Sequence, residues 1–392
     1  MLSSKPKGFE PMEPLNYWRD RLKTIAGQAD DWVLPWTARD PIIISPYLGY
    51  GTPTRLYLSG RVLEDEGFIP PDEADSPLEN LLNMFKRFES DEIGGARLLA
   101  RFQGVEQAGV TDGEGYFQLE LEPPQPLAGS EWYPVDLELP DYRDQSGQPV
   151  KAIGKVLVPP ASARFGVISD IDDTIVWSNA VNKLQMLLTV LLRNERTRVP
   201  FKGVAGFYQA LYRGAGGSEQ NPIFYVSSSP WNLYHLLLEF MTLHQIPVGP
   251  ILLRDYGGHS LFSAGDHHTH KLSKIEPLLR LYPDLPFILI GDSGQQDPEI
   301  YREIVQKYPG RIRAIYIRSV NPDPARIAAI DALIGEVQKL DCQLVLVPDS
   351  EFAAAHAAAE GLIAAESLAR VRAHKADDRQ APAAETVPVE AE

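Results

Sequence analysis

The chain of 392 residues is 44% hydrophobic and 23% charged, an ordinary globular composition that excludes wholesale disorder and suits two domains or three. A formal charge of -16 excludes a general nucleic-acid binder, and a single cysteine, Cys342, excludes a disulfide framework or a Cys-based zinc site. Residues 1–8 lack the apolar core of a signal peptide, and no run approaches the roughly 18 apolar residues of a spanning helix, so a reduced, cytoplasmic setting is expected.

Residues 1–40 read as an irregular or helical lead-in to a β-rich domain that ends near residue 158. Pro41–Tyr47, Arg55–Leu63, Ala96–Phe102, Gly115–Leu121 and Trp132–Leu139 are the predicted strands. Phe117, Leu119 and Leu121 alternate with Gln118 and Glu120, the period of a half-buried sheet. Short strands at this spacing predict a small β-sandwich. Ser76-Pro77-Leu78-Glu79 reads as a helix start leading into Leu81, Leu82, Met84 and Phe85. Residues 61–95 hold ten acidic against three basic residues, read as a solvated face.

Pro159-Pro160 marks a change of pattern. Buried strands at Phe165–Ser169, Ile223–Ser227, Ile251–Leu253, Phe287–Ile290, Arg313–Ile317 and Leu344–Val347 now alternate with helices. Continuous apolar runs of this kind are covered on both faces, so residues 159–350 are expected to form an α/β domain with a doubly wound, mostly parallel sheet. Such sheets seat ligands beyond the carboxyl ends of their strands. An alanine-rich helix at 351–375 is expected to pack on this domain, and residues 376–392 are expected to be a disordered tail.

The first of these strands runs into Ser169-Asp170-Ile171-Asp172-Asp173-Thr174-Ile175. Three carboxylates in four residues at a buried strand end repel one another unless a cation offsets them, and hard oxygen ligands suit Mg²⁺. A solvated turn or an acidic helix start is the alternative. Tyr225-Val-Ser227-Ser228-Ser229-Pro230-Trp231 places hydroxyls and a helix start at the second strand end, either a phosphate site or a plain cap. Gly291-Asp292-Ser-Gly-Gln-Gln-Asp297 brings two more carboxylates to a later strand end. Lys271 could supply a cation at the same mouth, or lie on the surface. His267, His268 and His270 have a spacing that suggests zinc, but an exposed polar loop before a helix is the reading preferred.

Taken together and in this order, Asp170-x-Asp172-x-Thr174, Ser227, Lys271 and Gly291-Asp292 with Asp297 resemble the four motifs of the haloacid dehalogenase superfamily of phosphohydrolases. The strings Phe165–Ile175, Tyr225–Trp231, Gly291–Tyr301, Ile315–Arg318 and His356–Ile363 are similar to the actin-patch-associated phosphatidate phosphatases of fungi and their bacterial relatives, over roughly residues 160–365. The long proline-rich C-terminus of the fungal proteins is absent from the sequence.

That resemblance implies a Mg²⁺-dependent phosphatase. Asp170 is the implied nucleophile and Asp172 the implied general acid and base. Asp170, Asp172 through its backbone carbonyl, and Asp292 are the implied Mg²⁺ ligands, and Ser227, Ser228 and Lys271 the implied phosphate-binding residues. Thr174, Gly291 and Asp297 are supporting residues, and Asp173 fits the family string with its role left open. Phosphatidate is the implied substrate; another phosphomonoester is the first alternative and a non-catalytic cation- or phosphate-binding protein the second. Residues 176–214 carry six basic residues against one acidic. Val181–Leu192 with the basic residues to 202 could therefore contact an anionic membrane at the inner surface, or simply pack on the sheet. No nucleic-acid partner is expected, and the oligomeric state is open.

Overall fold

The computed structural model describes residues 41–64, 92–171, 174, 203–254, 267–320 and 323–380. The expected lead-in at 1–40, the helix from Ser76, Asp172, Asp173, the Val181–Leu192 segment with the basic residues to 202, and the tail from 381 lie outside the described residues. Among those described, no helix is long and apolar enough to cross a membrane.

The first sheet comprises β1 (Ile42–Pro46), β2 (Gly49–Thr52), β3 (Arg55–Glu64), β4 (Arg97–Phe102), β5 (Val105–Val110), β6 (Tyr116–Leu121), β7 (Trp132–Arg143) and β8 (Pro149–Leu157). Alternation builds its core: Phe117, Leu119 and Leu121 of β6 are buried while Gln118 and Glu120 are exposed. Leu56, Leu58 and Val62 of β3 and Val135, Leu137 and Leu139 of β7 join them. Hydrogen bonding runs through all eight strands as one mixed sheet in the order β1-β3-β2-β8-β7-β4-β5, with β6 on β3. The join is β2, which pairs antiparallel with β3 and parallel with β8 at Gly49–Val156 and Tyr50–Leu157.

The second sheet is parallel throughout: β9 (Gly166–Asp170), β10 (Ile223–Pro230), β11 (Ile251–Arg254), β12 (Phe287–Asp292), β13 (Ile312–Arg318) and β14 (Leu344–Val347), in the order β11-β10-β9-β12-β13-β14. Neighbouring side chains on each strand feed opposite cores, which is why the runs are unbroken in hydrophobicity. Val167, Tyr225, Ile288 and Tyr316 face α1 (Val204–Arg213), α2 (Tyr234–Leu243), α6 (Ser350–Ala359) and α7 (Ser367–Gln380). Ile168, Phe224, Leu289 and Ile315 face α3 (His267–Leu281), α4 (Asp297–Lys307) and α5 (Pro324–Gln338).

Two expectations need correction. The alanine-rich segment forms two helices, because Gly361 takes φ +67 after α6 and turns the chain before α7. That second helix continues to Gln380, past the expected start of the tail at 376. His267, His268 and His270 stand in the first turn of α3, not in a loop before it.

Candidate active site

Parallel pairing fixes the site, because it lines up the strand ends. Val226 stands opposite Asp170, Ile290 opposite Ser169, and Asp292 opposite Arg318. The carboxyl ends of β10, β9 and β12 therefore present Ser227, Asp170 and Asp292 side by side.

Asp170, Asp292 and Asp297 are all buried, and each contributes an oxygen to a cluster whose atoms lie within 4.8 Å of one another. Asp292 is held by its own turn, with Oδ1 accepting from the backbone amides of Gly294 at 2.6 Å and Gln295 at 2.9 Å. Asp297 opens α4, where the helix end favours a carboxylate. Its Oδ2 accepts from the Asp292 amide at 3.1 Å. Gly291 is required by this packing: a Cβ there would stand 2.3 Å from Asp297 Oδ2.

Lys271 enters from the first turn of α3, only 2% exposed. Its Nζ lies 2.8 Å from Asp170 Oδ1 and also donates to Asp297. Burial works against its charge, but Asp170 and then Asp297 outweigh it and hold the ammonium well above its ordinary range. Thr174 Oγ1 is 3.4 Å from Asp170 Oδ2. Burial, and then the Asp297 charge, push the Asp292 carboxyl up to about 7 against the pull of Lys271.

Ser227, Ser228 and Ser229 are buried at the end of β10, and Ser227 Oγ accepts from the Ser229 amide at 3.0 Å. The His270 Nε2–H donates to the Ser227 carbonyl at 3.2 Å, which ties this loop to the turn carrying Lys271. His268 instead meets Glu303 at 3.1 Å, away from the acidic cluster. Asp170, Ser227, Lys271, Asp292 and Asp297 are thus brought to one end of the sheet.

Could this cluster hold a divalent cation? Three carboxylates face one ammonium, an excess of acid that a dication would offset. The donors are all hard oxygens. Asp292 Oδ2 is buried with no hydrogen-bond partner among the described residues. These three residues therefore could bind a metal ion, with Asp297 brought to the set and Asp172 outside the described residues.

Sequence reasoning missed the supports of this centre. Arg326 of α5 donates from Nε to the Ser293 carbonyl at 2.8 Å and from Nη2 to the Gln295 carbonyl, clasping the turn that shapes Asp292. Glu299 orients that guanidinium from α4. Behind β9, the Tyr208 hydroxyl is 2.6 Å from Ser169 Oγ, which donates to the Asp170 carbonyl at 2.7 Å. Tyr301 donates to the Ile290 carbonyl at 2.9 Å and props the end of β12. No local pattern in the sequence marks any of these.

Comparison with known proteins points the same way. The yeast Saccharomyces cerevisiae phosphatidate phosphatase APP1 is 34% identical over 158 residues, 39% of this chain and 26% of the yeast protein. An uncharacterized protein of Schizosaccharomyces pombe is 26% identical over 252 residues, 62% of this chain and 41% of its own. The chain thus spans well under half the length of both relatives. A carbohydrate acetylesterase from Xanthomonas citri, 13% identical over 74% of this chain and 72% of its own, superposes with a TM-score of 0.24, too low to carry an argument. Residues 165–319 match the family described as phosphatidate phosphatase APP1, catalytic domain, and Asp170, Thr174, Ser227, Lys271, Asp292 and Asp297 all fall within that match.

Proposed function

We propose that the chain is a Mg²⁺-dependent phosphatidate phosphatase that cleaves the phosphomonoester of phosphatidate to diacylglycerol and phosphate. The observation that carries the reading is the buried Asp170 carboxylate paired with Lys271 beside Asp292, inside the stretch that matches the phosphatidate phosphatase family.

Asp170 attacks phosphorus and the ester P–O bond breaks, leaving an aspartyl-phosphate and the diacylglycerol alkoxide. Asp172 gives that alkoxide a proton; its role is the one the resemblance to the haloacid dehalogenase motifs implies, and its position lies outside the described residues. Asp172 then takes a proton from the attacking water, and phosphate leaves with Asp170 restored. Lys271 neutralises charge on Asp170 and on the transferring phosphoryl oxygens, and Ser227 with Ser228 donates to those oxygens. Asp170, the backbone carbonyl of Asp172 and Asp292 would hold Mg²⁺, which when bound offsets repulsion between anionic nucleophile and anionic phosphate. Asp297 holds Lys271 in place. In this reading the fold around the site is of the haloacid dehalogenase type, and the basic segment to residue 202 draws the site to an anionic membrane surface.

The test is phosphate release from phosphatidate in mixed micelles, with Mg²⁺ and with EDTA, beside a panel of soluble phosphomonoesters and an Asp170→Asn control. Metal-dependent release from phosphatidate, well above the soluble panel and lost in the variant, is the expected result. Release confined to soluble esters would sink the lipid assignment and keep the chemistry. No release from either would sink the phosphatase reading.

A further inference from the structure

Ser227–Ser229 lie where the register of β10 shifts, between Val226 and Pro230. Downstream of Ser229 the chain makes a 3-10 turn, Trp231–Leu233, and then α2. Leu233 stands in the cap position of α2, with no side-chain hydrogen bond to the first amides. A Ser, Thr, Asp or Asn there would have fixed the entry of the chain into the helix.

The first sheet packs on the residues that follow. Tyr47, in the corner between β1 and β2, is 5% exposed. Its ring lies flat on Trp231, with centroids 4.6 Å apart and planes 12° from parallel, and meets Tyr234 at 4.3 Å. The Leu48 amide donates to the Tyr234 hydroxyl at 2.6 Å, and Ser45 Oγ is 2.6 Å from His235 Nε2. Three residues of one corner thus grip Trp231, Tyr234 and His235. The corner is itself fixed, because the Tyr47 amide donates to the Ser59 carbonyl of β3 at 2.8 Å.

The next residues reach the other phosphate-side element. The Tyr282 hydroxyl, just past α3, donates to the Gly51 carbonyl at 3.0 Å, and Tyr50 meets Phe224 of β10 edge-on. Residues 45–51 therefore brace β10, the start of α2 and the end of α3, the elements that carry Ser227 and Lys271.

We propose that the β1–β2 corner is a positioning element for phosphate binding, in which Tyr47, stacked on Trp231 and packed against Tyr234, holds the Ser227–Ser229 stretch of β10 in the conformation that receives a phosphoryl group. This rests on the reading of that stretch as the phosphate site. Tyr47 acts through Trp231 and the stretch, and is neither a ligand nor a proton carrier.

The experiment is calorimetric binding of inorganic phosphate to the full chain in Mg²⁺ buffer. It compares wild type, Tyr47→Phe, Tyr47→Ala, Ser227→Ala and the Tyr47→Ala/Ser227→Ala double variant, with Mg²⁺ affinity and thermal melting measured on each. Tyr47→Phe keeps the flat ring and should bind phosphate within about twofold of wild type. Tyr47→Ala should bind about tenfold more weakly with unchanged Mg²⁺ affinity. The double variant should be no weaker than Ser227→Ala alone within about twofold, since two changes acting through one stretch do not add. Unchanged phosphate affinity in a folded Tyr47→Ala, or full additivity in the double variant, would overturn the proposal. Should Tyr47→Ala fail to fold, Tyr47→Leu keeps the bulk without the aromatic plane and must show the same weakening. A wild type that binds phosphate but hydrolyses no phosphomonoester would sink the phosphatase reading alone, and the binding comparison would still decide the role of Tyr47. A wild type that binds no phosphate would overturn both.

Discussion

Lys271 Nζ stands 2.8 Å from Asp170 Oδ1 and donates as well to Asp297, so one buried ammonium serves two buried carboxylates. Removing one partner of such a group leaves the others charged and undersolvated, which typically costs about 3–5 kcal/mol. Lys271→Met should therefore destabilise the metal-free protein by about that much, seen as a lowered urea midpoint. Adding Asp297→Asn should restore part of the loss, because one of the two orphaned charges is gone. An unaltered midpoint in Lys271→Met would contradict the shared arrangement.

Gly291 is the narrowest point of the centre. A Cβ there would stand 2.3 Å from Asp297 Oδ2 and 2.7 Å from Asp297 Cβ, so in Gly291→Ala the Asp297 side chain must move. Overpacking of this kind costs about 1–3 kcal/mol. The displaced carboxylate would also release the Asp292 amide, with divalent-cation affinity falling by about 10–100-fold, the range typical for lost supports of a metal site. Thermal melting and a Mg²⁺ titration by calorimetry read the two effects separately.

Asp292 gives the metal-free protein a pH signature. Its carboxyl is held at about 7 against an ordinary 3.8, so between those values the unfolded chain has lost this proton and the folded chain has not. The folded state then binds more protons, and its stability falls as pH rises from about 4 to about 7 before levelling off. Asp292→Asn should remove this contribution, making the variant progressively more stable relative to wild type across that window. Urea midpoints of both proteins at several pH values test it; parallel curves would count against a raised Asp292. Saturating Mg²⁺ should flatten the wild-type curve, since a bound cation favours the ionised carboxylate.

Arg326 offers a test of the turn that shapes Asp292. Its planar fork reaches the Ser293 and Gln295 carbonyls and the Glu299 carboxylate together, which the single ammonium of lysine cannot reproduce. Arg326→Lys should weaken Mg²⁺ binding by about tenfold while phosphate binding at the β10 loop changes little. Equal losses in both would point to general loosening of the fold.

The convergence of Asp170, Ser227 and Asp292 is legible in the sequence because each ends a short apolar run, and parallel strands bring run ends into line. Lys271 is different. A buried lysine has no local signature, and only the order of motifs along the chain marks it out. Arg326 is invisible for a related reason: two of its partners are main-chain carbonyls, which any residue supplies, and the third, Glu299, lies on another helix.

The first sheet shows the same division. Its alternating strands β3, β6 and β7 can be read directly, whereas β5, Val105-Glu-Gln-Ala-Gly-Val110, is largely exposed and has no alternation to read. The parallel join of β2 to β8 rests on two residue pairs far apart in sequence, so no local window contains it. The histidines at the start of α3 look like a loop because they are polar, yet the first turn of a helix at a sheet's mouth can face polar partners: Ser227 for His270, Glu303 for His268.

The placement of β9 carries a consequence for how the protein assembles. It lies between β10 and β12, strands that follow it in sequence by dozens of residues, and it bears Asp170 at its end. The acidic cluster cannot exist until β12, which carries Asp292 and leads into Asp297, has docked on that central strand. Closing such long loops is a late, entropically costly event in folding. Cation binding during refolding would therefore return in step with the docking of β12 on β9 and no sooner, so that the emerging site would serve as a clock for that one pairing.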